Sequence, residues 1–289
     1  MWPELTHLGD LPVRSFGVLV ALGFLMAAQL VWPRLLRSYG SDPDRDPDRG
    51  LQVALWILVG LLLGGRLMFA AVEVGKVLLA GSEASEVGTA LLARPWEAFY
   101  VWNGGLVMYG GLAGALLFGM WGARRAGLSI GHGLDTGLTA GFLGQAVGRI
   151  GCLFVGDDHG SVVPAFAENW PFPLTLHAPS LEFIASKQSL FSPAVAGQVV
   201  WATQTWMSLG ALALYFCGLR WLERRRYPGQ VALQLLFTYA LWRFTLEFFR
   251  GDAVRGLYFG GALSTSQLLS VPLAAVAGIA LLRRRGDSA

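Results

Sequence analysis

The chain has 289 residues, of which 54% are hydrophobic and only 14% charged, with a mean hydropathy of +0.50. That is far too little charge for a soluble domain of this size. The formal charge of +3 comes from short basic clusters between apolar runs, which excludes a nucleic-acid-binding surface.

Windows of about 20 mostly apolar residues recur along the whole length, as bilayer-spanning helices require. Seven are predicted, at about 15–33, 51–72, 102–121, 133–155, 199–219, 230–249 and 263–282. The fold class is therefore all-α, a polytopic membrane protein, because only helices and closed barrels satisfy their backbone in lipid. No composition shift or flexible linker divides the chain, so 1–289 reads as one membrane-embedded domain. Residues 1–14 lack a positive n-region, so the first run reads as a retained helix and not a cleaved signal.

Arginines orient the helices. Arg34, Arg37, Arg45 and Arg49 follow the first, Arg124 and Arg125 the third, Arg220 and Arg224–Arg226 the fifth, and Arg283–Arg285 the seventh. With seven spans these clusters fall on one side, the cytoplasmic one. The N-terminus is then outside and the C-terminus inside. Two longer segments lie outside, 73–94 and 156–199. The second, rich in Pro and aromatics, reads as a small extracytoplasmic cap at about 156–198, since loops of this length are more often functional or disordered than plain connections.

Of the two cysteines, Cys152 belongs near the outer face and Cys217 near the inner one, too far apart to pair. Cys152 reads as a small buried residue. The four histidines are scattered and no linear spacing suggests a metal or cofactor.

Four charged residues, besides the Asp135 that with His132, Gln145 and Arg149 makes the fourth run the weakest, fall inside the apolar runs: Arg66 in LLLGGRLMFAAV, Arg149 in GQAVGRIGC, and Arg243 with Glu247 in YALWRFTLEFFR. All belong to the outer half of their spans. A charge at membrane depth costs at least ~2.5–3.5 kcal/mol on insertion scales, so such groups usually face a polar cavity and mark function. Arg243 and Glu247 are one helical turn apart, with Tyr239 one turn earlier on the same face. For that pair alone a structural ion pair and a functional one are equally good readings. Three arginines with few matching acids point to an anionic partner, most simply a phospholipid headgroup gripped by the planar guanidinium fork. In NGGLVMYGGLAGALLFG, Gly111, Gly114 and Gly119 are spaced for close helix packing. The GG pairs at 104–105 and 110–111 bracket Tyr109 and suggest a kink opening toward a cavity.

At this point the residues carry a resemblance. RSFGVLVALGFLMA, LGGRLMFA, NGGLVMYGGLAGA, GRIGCLFVGDDHG, ATQTWMS, YALWRFTLEFFRGD and STSQLLSVPL stand in the order found in the bacterial prolipoprotein diacylglyceryl transferase family and span Arg14 to Leu273. The resemblance implies an enzyme of the bacterial cytoplasmic (inner) membrane. It would transfer the diacylglyceryl group of phosphatidylglycerol to the lipobox cysteine of a secreted prolipoprotein, releasing glycerol phosphate. Its partners would be that lipid, the prolipoprotein signal peptide and membrane lipids, with no nucleic acid and no cofactor, and it would act as a monomer. Arg149 matches the family's phospholipid-binding arginine and Arg243 its second essential arginine. Glu247 would orient Arg243; Tyr239, Asp157, Gly160 and Arg66 would complete the substrate site. The chain departs from the family at Tyr109, where many members have histidine, a candidate general base. It departs too at Phe16, at Cys152 and in ATQTWMS, which lacks the usual acid. Tyr109 is expected to hydrogen-bond the lipid, not to take the thiol proton, since an unperturbed tyrosine titrates near ~10. A diverged relative that keeps the lipid site but uses another acceptor, or only binds lipid, is the alternative.

Overall fold

The structure, a computed structural model, describes residues 2–8, 11–100, 105–186, 189–251, 256–261 and 263–286. Helices form at all seven predicted positions: α1 (Ser15–Tyr39), α2 (Asp46–Ala80), α4 (Met108–Ala126), α5 (Ile130–Val155), α7 (Thr203–Arg224), α8 (Gln230–Leu246) and α9 (Thr265–Gly286). Two short helices, α3 (Glu86–Ala93) and α6 (Leu181–Ser186), lie between them. Four helices, α1, α2, α5 and α9, are long and apolar enough to cross a membrane. Their outward faces are apolar: Val276 is 66% exposed and Leu282 68%, and Leu117 of α4 is 63% exposed. Such surfaces are stable only against lipid or another protein.

Contacts divide the chain into two compact units, 36–133 and 1–35 with 134–289. In the first, α2 and α4 pack along their lengths. The sequence reason is a double small-residue motif. Gly60 and Gly64 of α2 meet Gly114 and Gly110 of α4 so closely that a Cβ on Gly60 or Gly110 would strike the facing backbone. This is how close helix packing works where lipid supplies no hydrophobic drive. Gly110 therefore belongs with Gly111, Gly114 and Gly119 as a packing glycine. The expected kink is replaced by a helix start: α4 begins at Met108, so Tyr109 sits in its first turn, 39% exposed. Gly104 and Asn103 lie outside the described residues. The segment expected as an outside loop, 73–94, is largely helical. α2 runs on to Ala80, and Ser85 starts α3 by accepting the Gly88 amide at 2.8 Å.

In the second unit α1 packs on α5, with Gly23 against the Gly144 backbone and Phe16 against Gly151. The Trp32 indole donates to the Thr136 hydroxyl at 2.9 Å. Asp135 is fully buried and accepts the amides of Gly229 and Ala232, both at 2.8 Å, and Arg225 at 3.4 Å. It thus supplies the first turn of α8 with the acceptors that helix starts need, which explains an acid in an apolar run. α8 packs between α7 and α9. Strands β1 (Glu4–Leu8) and β2 (Leu11–Arg14) form a hairpin before α1. The stretch between α5 and α7 has a small core of its own. Ala178, Ile184, Phe191, Val195 and Val200 form it, the last from β4 (Val199–Trp201), which pairs antiparallel with β3 (Thr175–His177). A shorter pair, β5 (Leu257–Tyr258) and β6 (Leu263–Ser264), precedes α9.

Candidate functional site

Within that unit the ends of α5 and α8 bring the predicted charges together. α5 ends at Val155, and Gly156 turns the chain with φ +83° into the loop 157–161. This loop is laced to the end of α8. Ser161 donates its amide to the Phe249 carbonyl at 2.8 Å and Gly251 to the His159 carbonyl at 3.1 Å, and Gly160 bridges Arg250. Gly160 can only be glycine here, because a Cβ would strike the Trp201 carbonyl and lie 2.7 Å from its Cβ. Buried His159 locks the loop to the cap: its Nδ1 donates to the Gly160 carbonyl at 2.9 Å, its Nε2 accepts the Ser192 amide at 3.3 Å, and its ring stacks on Phe191.

The lacing builds a chain of ion pairs with alternating sign. Arg149 pairs with Asp158, Asp158 with Arg250 at 2.5 Å, Arg250 with Glu247 at 3.9 Å, and Glu247 with Arg243. Each Asp158 oxygen serves a different arginine. Glu247 is 2% exposed and Arg250 7%, so these charges are held by one another and not by water. The second Arg243 nitrogen donates to the Ser266 hydroxyl of α9 at 2.8 Å. Burial alone would raise the Asp158 carboxyl, but Arg149, then Arg250 and more distantly Arg243, hold it below its ordinary value. Beside Arg243 a narrow cleft is lined by Gln145, Met207, Ala211, Tyr239, Trp242 and Leu246. Tyr239 stacks at a tilt on Phe142. Gln204, from the ATQTWMS stretch, is fully buried with neither end of its amide hydrogen-bonded. It is an unspent donor and acceptor one turn from Met207.

The predicted residues fare unequally. Arg149, Arg243, Glu247, Tyr239 and Gly160 come together in this region. Asp157 stands one residue off the arginines: its carboxylate accepts the Asp158 amide at 3.0 Å and lines a separate pocket with Glu4 and Arg14. Arg66 is held by backbone carbonyls. It is buried in the other unit, where its three nitrogens donate to the carbonyls of Glu97, Ala98 and Gly105 and its guanidinium lies over the Phe69 ring. Those donors tie the segment after α3 to α2. Tyr109 belongs to that other unit as well. Asp158, Arg250 and Ser266 were missed. Asp158 lay beside the predicted Asp157, and only the pairing of 157–161 with 249–251 shows which acid faces inward.

Cys152 is buried, as expected, and its sulfur accepts from Arg149 at 3.7 Å. Cys152, Asp157 and Asp158 bring their ligand atoms within 4.8 Å of one another, a grouping that linear spacing did not reveal. Asp158 commits both oxygens to guanidinium groups, which suits an anion site better than a cation site.

A family profile described as prolipoprotein diacylglyceryl transferase matches residues 3–283. Among similar proteins, a phosphatidylglycerol–prolipoprotein diacylglyceryl transferase of Thermus thermophilus is 27% identical, with 98% of each chain covered. One of Vibrio vulnificus is 31% identical over 97% of this chain and 90% of its own. One of Geobacter sulfurreducens is 29% identical over 94% and 90%. With the motifs of α5 and α8 meeting in one ion-pair cluster and the profile running nearly end to end, the chain belongs to the prolipoprotein diacylglyceryl transferase family.

Proposed function

We propose that the protein transfers the diacylglyceryl group of phosphatidylglycerol to the lipobox cysteine thiol of secreted prolipoproteins. The observation that carries this reading is the arginine chain at the ends of α5 and α8, in a chain whose relatives bear that activity's name. The thiol sulfur attacks the primary glyceryl carbon, a C–S bond forms, the C–O bond to phosphorus breaks, and the electron pair leaves on the phosphate oxygen. The thiol proton ends on glycerol phosphate, so charge and atoms balance. Arg149 and Arg243 hold the headgroup phosphate and stabilise the negative charge it gathers on leaving. Glu247 orients Arg243, and Tyr239 and Gly160 shape the site beside them. Tyr109 supplies a hydroxyl to the lipid; the resemblance carries that assignment.

The same reading extends to the whole chain: one membrane-embedded domain over 1–289 with a cap at about 156–198, acting as a monomer in the bacterial cytoplasmic membrane. Seven helices span, with the N-terminus outside and the C-terminus in the cytoplasm. Placement of the arginine clusters supports that orientation.

Complementation of a bacterial strain depleted of its own transferase tests the function. Growth and mature lipoproteins should return with the wild-type chain and fail with Arg149→Ala present at equal level. Tyr109→Phe should slow transfer roughly 10- to 100-fold, the worth of one hydrogen bond to a charged group. Failure of the wild-type chain would remove the proposal, and a phenylalanine variant indistinguishable from wild type would remove Tyr109 from the site.

A further inference from the structure

Gln204 stands in the first turn of α7, fully buried, with both ends of its amide unpaired. Among the described residues no other side-chain amide has both ends buried and unpaired. The Thr205 hydroxyl beside it is also buried without a partner, so the start of α7 carries hydrogen-bonding capacity that the fold does not use. An unpaired buried amide destabilises a protein, and an apolar side chain of the same shape would not. What the fold leaves unpaired is available to a ligand.

Two hydroxyls of the same helix fix where this amide stands. Thr203 donates to the Asp158 carbonyl at 2.8 Å, and Ser208 to the Ala146 carbonyl of α5 at 2.7 Å. They fasten the start of α7 to the stretch from Ala146 to Asp158, which holds Arg149. Positions 204, 207 and 211 recur at helical spacing and share a face. Met207 and Ala211 of that face line the cleft with Arg243, Gln145 and Tyr239. Gln204 is the next position on it toward the end of α7 that holds Asp158, the partner of Arg149.

Chemistry narrows what the amide can take. Its Nε2 donates and its Oε1 accepts, so it needs a partner that does both. An ammonium headgroup offers donors only, and an alkyl group offers neither. The glycerol headgroup of phosphatidylglycerol carries two adjacent hydroxyls, each a donor and an acceptor. We propose that Gln204 is a specificity-determining residue that reads those hydroxyls, its Nε2 donating to one and its Oε1 accepting from the other. A site built this way rejects an analogue without the hydroxyls, because the buried amide is then left unpaired. The inference rests on the reading of Arg149 and Arg243 as the site of the headgroup phosphate.

The test uses purified full-length protein in detergent with a lipobox peptide and one of two lipids. These are phosphatidylglycerol and phosphatidylpropanol, the same phosphodiester with a propyl group in place of glycerol. Thioether formation on the peptide is measured with each. Wild type should prefer phosphatidylglycerol by roughly 10- to 100-fold in kcat/KM, as one or two such hydrogen bonds imply. Gln204→Met keeps the length of the side chain but removes the donor and the strong acceptor. It should bring the ratio close to one by slowing transfer from phosphatidylglycerol, with a melting temperature equal to or above that of wild type. Equal wild-type rates with the two lipids would overturn the proposal, and that comparison needs no variant. So would a methionine variant slowed equally on both lipids, which is the mark of an amide that serves the peptide. A methionine variant that melts below wild type or fails to fold would overturn it too, since the amide would then serve the fold. Arg149→Ala is assayed in parallel with phosphatidylglycerol. Full transfer there rejects the headgroup site itself, whereas loss of transfer there with no lipid preference in wild type rejects the role of Gln204 alone.

Discussion

Arg243 and Glu247 stand four residues apart on one helix face, and at membrane depth neither tolerates losing the other. Glu247 touches Arg250 as well, so it holds two guanidinium groups in place. Glu247→Gln should therefore lower transfer less than Arg243→Ala, because a neutral amide still accepts a hydrogen bond. Arg243→Ala should also lower the melting temperature, since it strips a nearly buried carboxylate of its closest partner. Equal activity losses with equal melting temperatures would contradict that division of roles. Acid titration bears on the same network. The Asp158 carboxyl is held below its ordinary value, so its ion pairs stabilise the fold fully above the usual carboxylate range near ~3.9. That contribution fades only as pH falls through the lower, folded-state value. Arg149, Arg243 and Glu247 were legible in the sequence because a charge in an apolar run is conspicuous. Arg250 and Asp158 lie at or beyond helix ends, where charge is ordinary, and their pairing closes over 92 residues.

Among the elements, α5 and α8 carry the account, and Asp135 joins them. It was visible in the sequence as a flaw in the fourth apolar run; its role as the acceptor for the start of α8, 94 and 97 residues away, was not. Asp135→Ala would orphan two amides at about 1–3 kcal/mol each. The melting temperature should drop sharply, and Asp135→Asn should recover part of the loss. An alanine variant as stable as wild type would show that the amides find other partners. Helix positions were readable from apolar length alone. Boundaries were less so: α2 extends through Glu73 and Lys76, which pair at 2.6 Å, because charged residues are at ease in a helix once it leaves the apolar layer. The glycines of α4 were readable as packing residues, but the helix start beside Tyr109 was not, since nothing in VMYGG marks a cap.

For the molecule as a whole, the helices, the exposed apolar faces and the basic clusters agree on a membrane protein. The proposed orientation predicts that cysteine probes placed in the cap react with an impermeant reagent in intact cells. Probes beside Arg224 or Arg284 should react only after lysis, and the reverse pattern would invert the topology. Chemistry remains the most direct check. Purified protein should be incubated with phosphatidylglycerol and a lipobox peptide, and the peptide examined by mass spectrometry. The expected product is a cysteine carrying one diacylglyceryl group in thioether linkage, with glycerol phosphate released in equal amount and neither product formed by Arg149→Ala. An unmodified peptide beside an active relative assayed in the same lipid, or modification undiminished in Arg149→Ala, would contradict it.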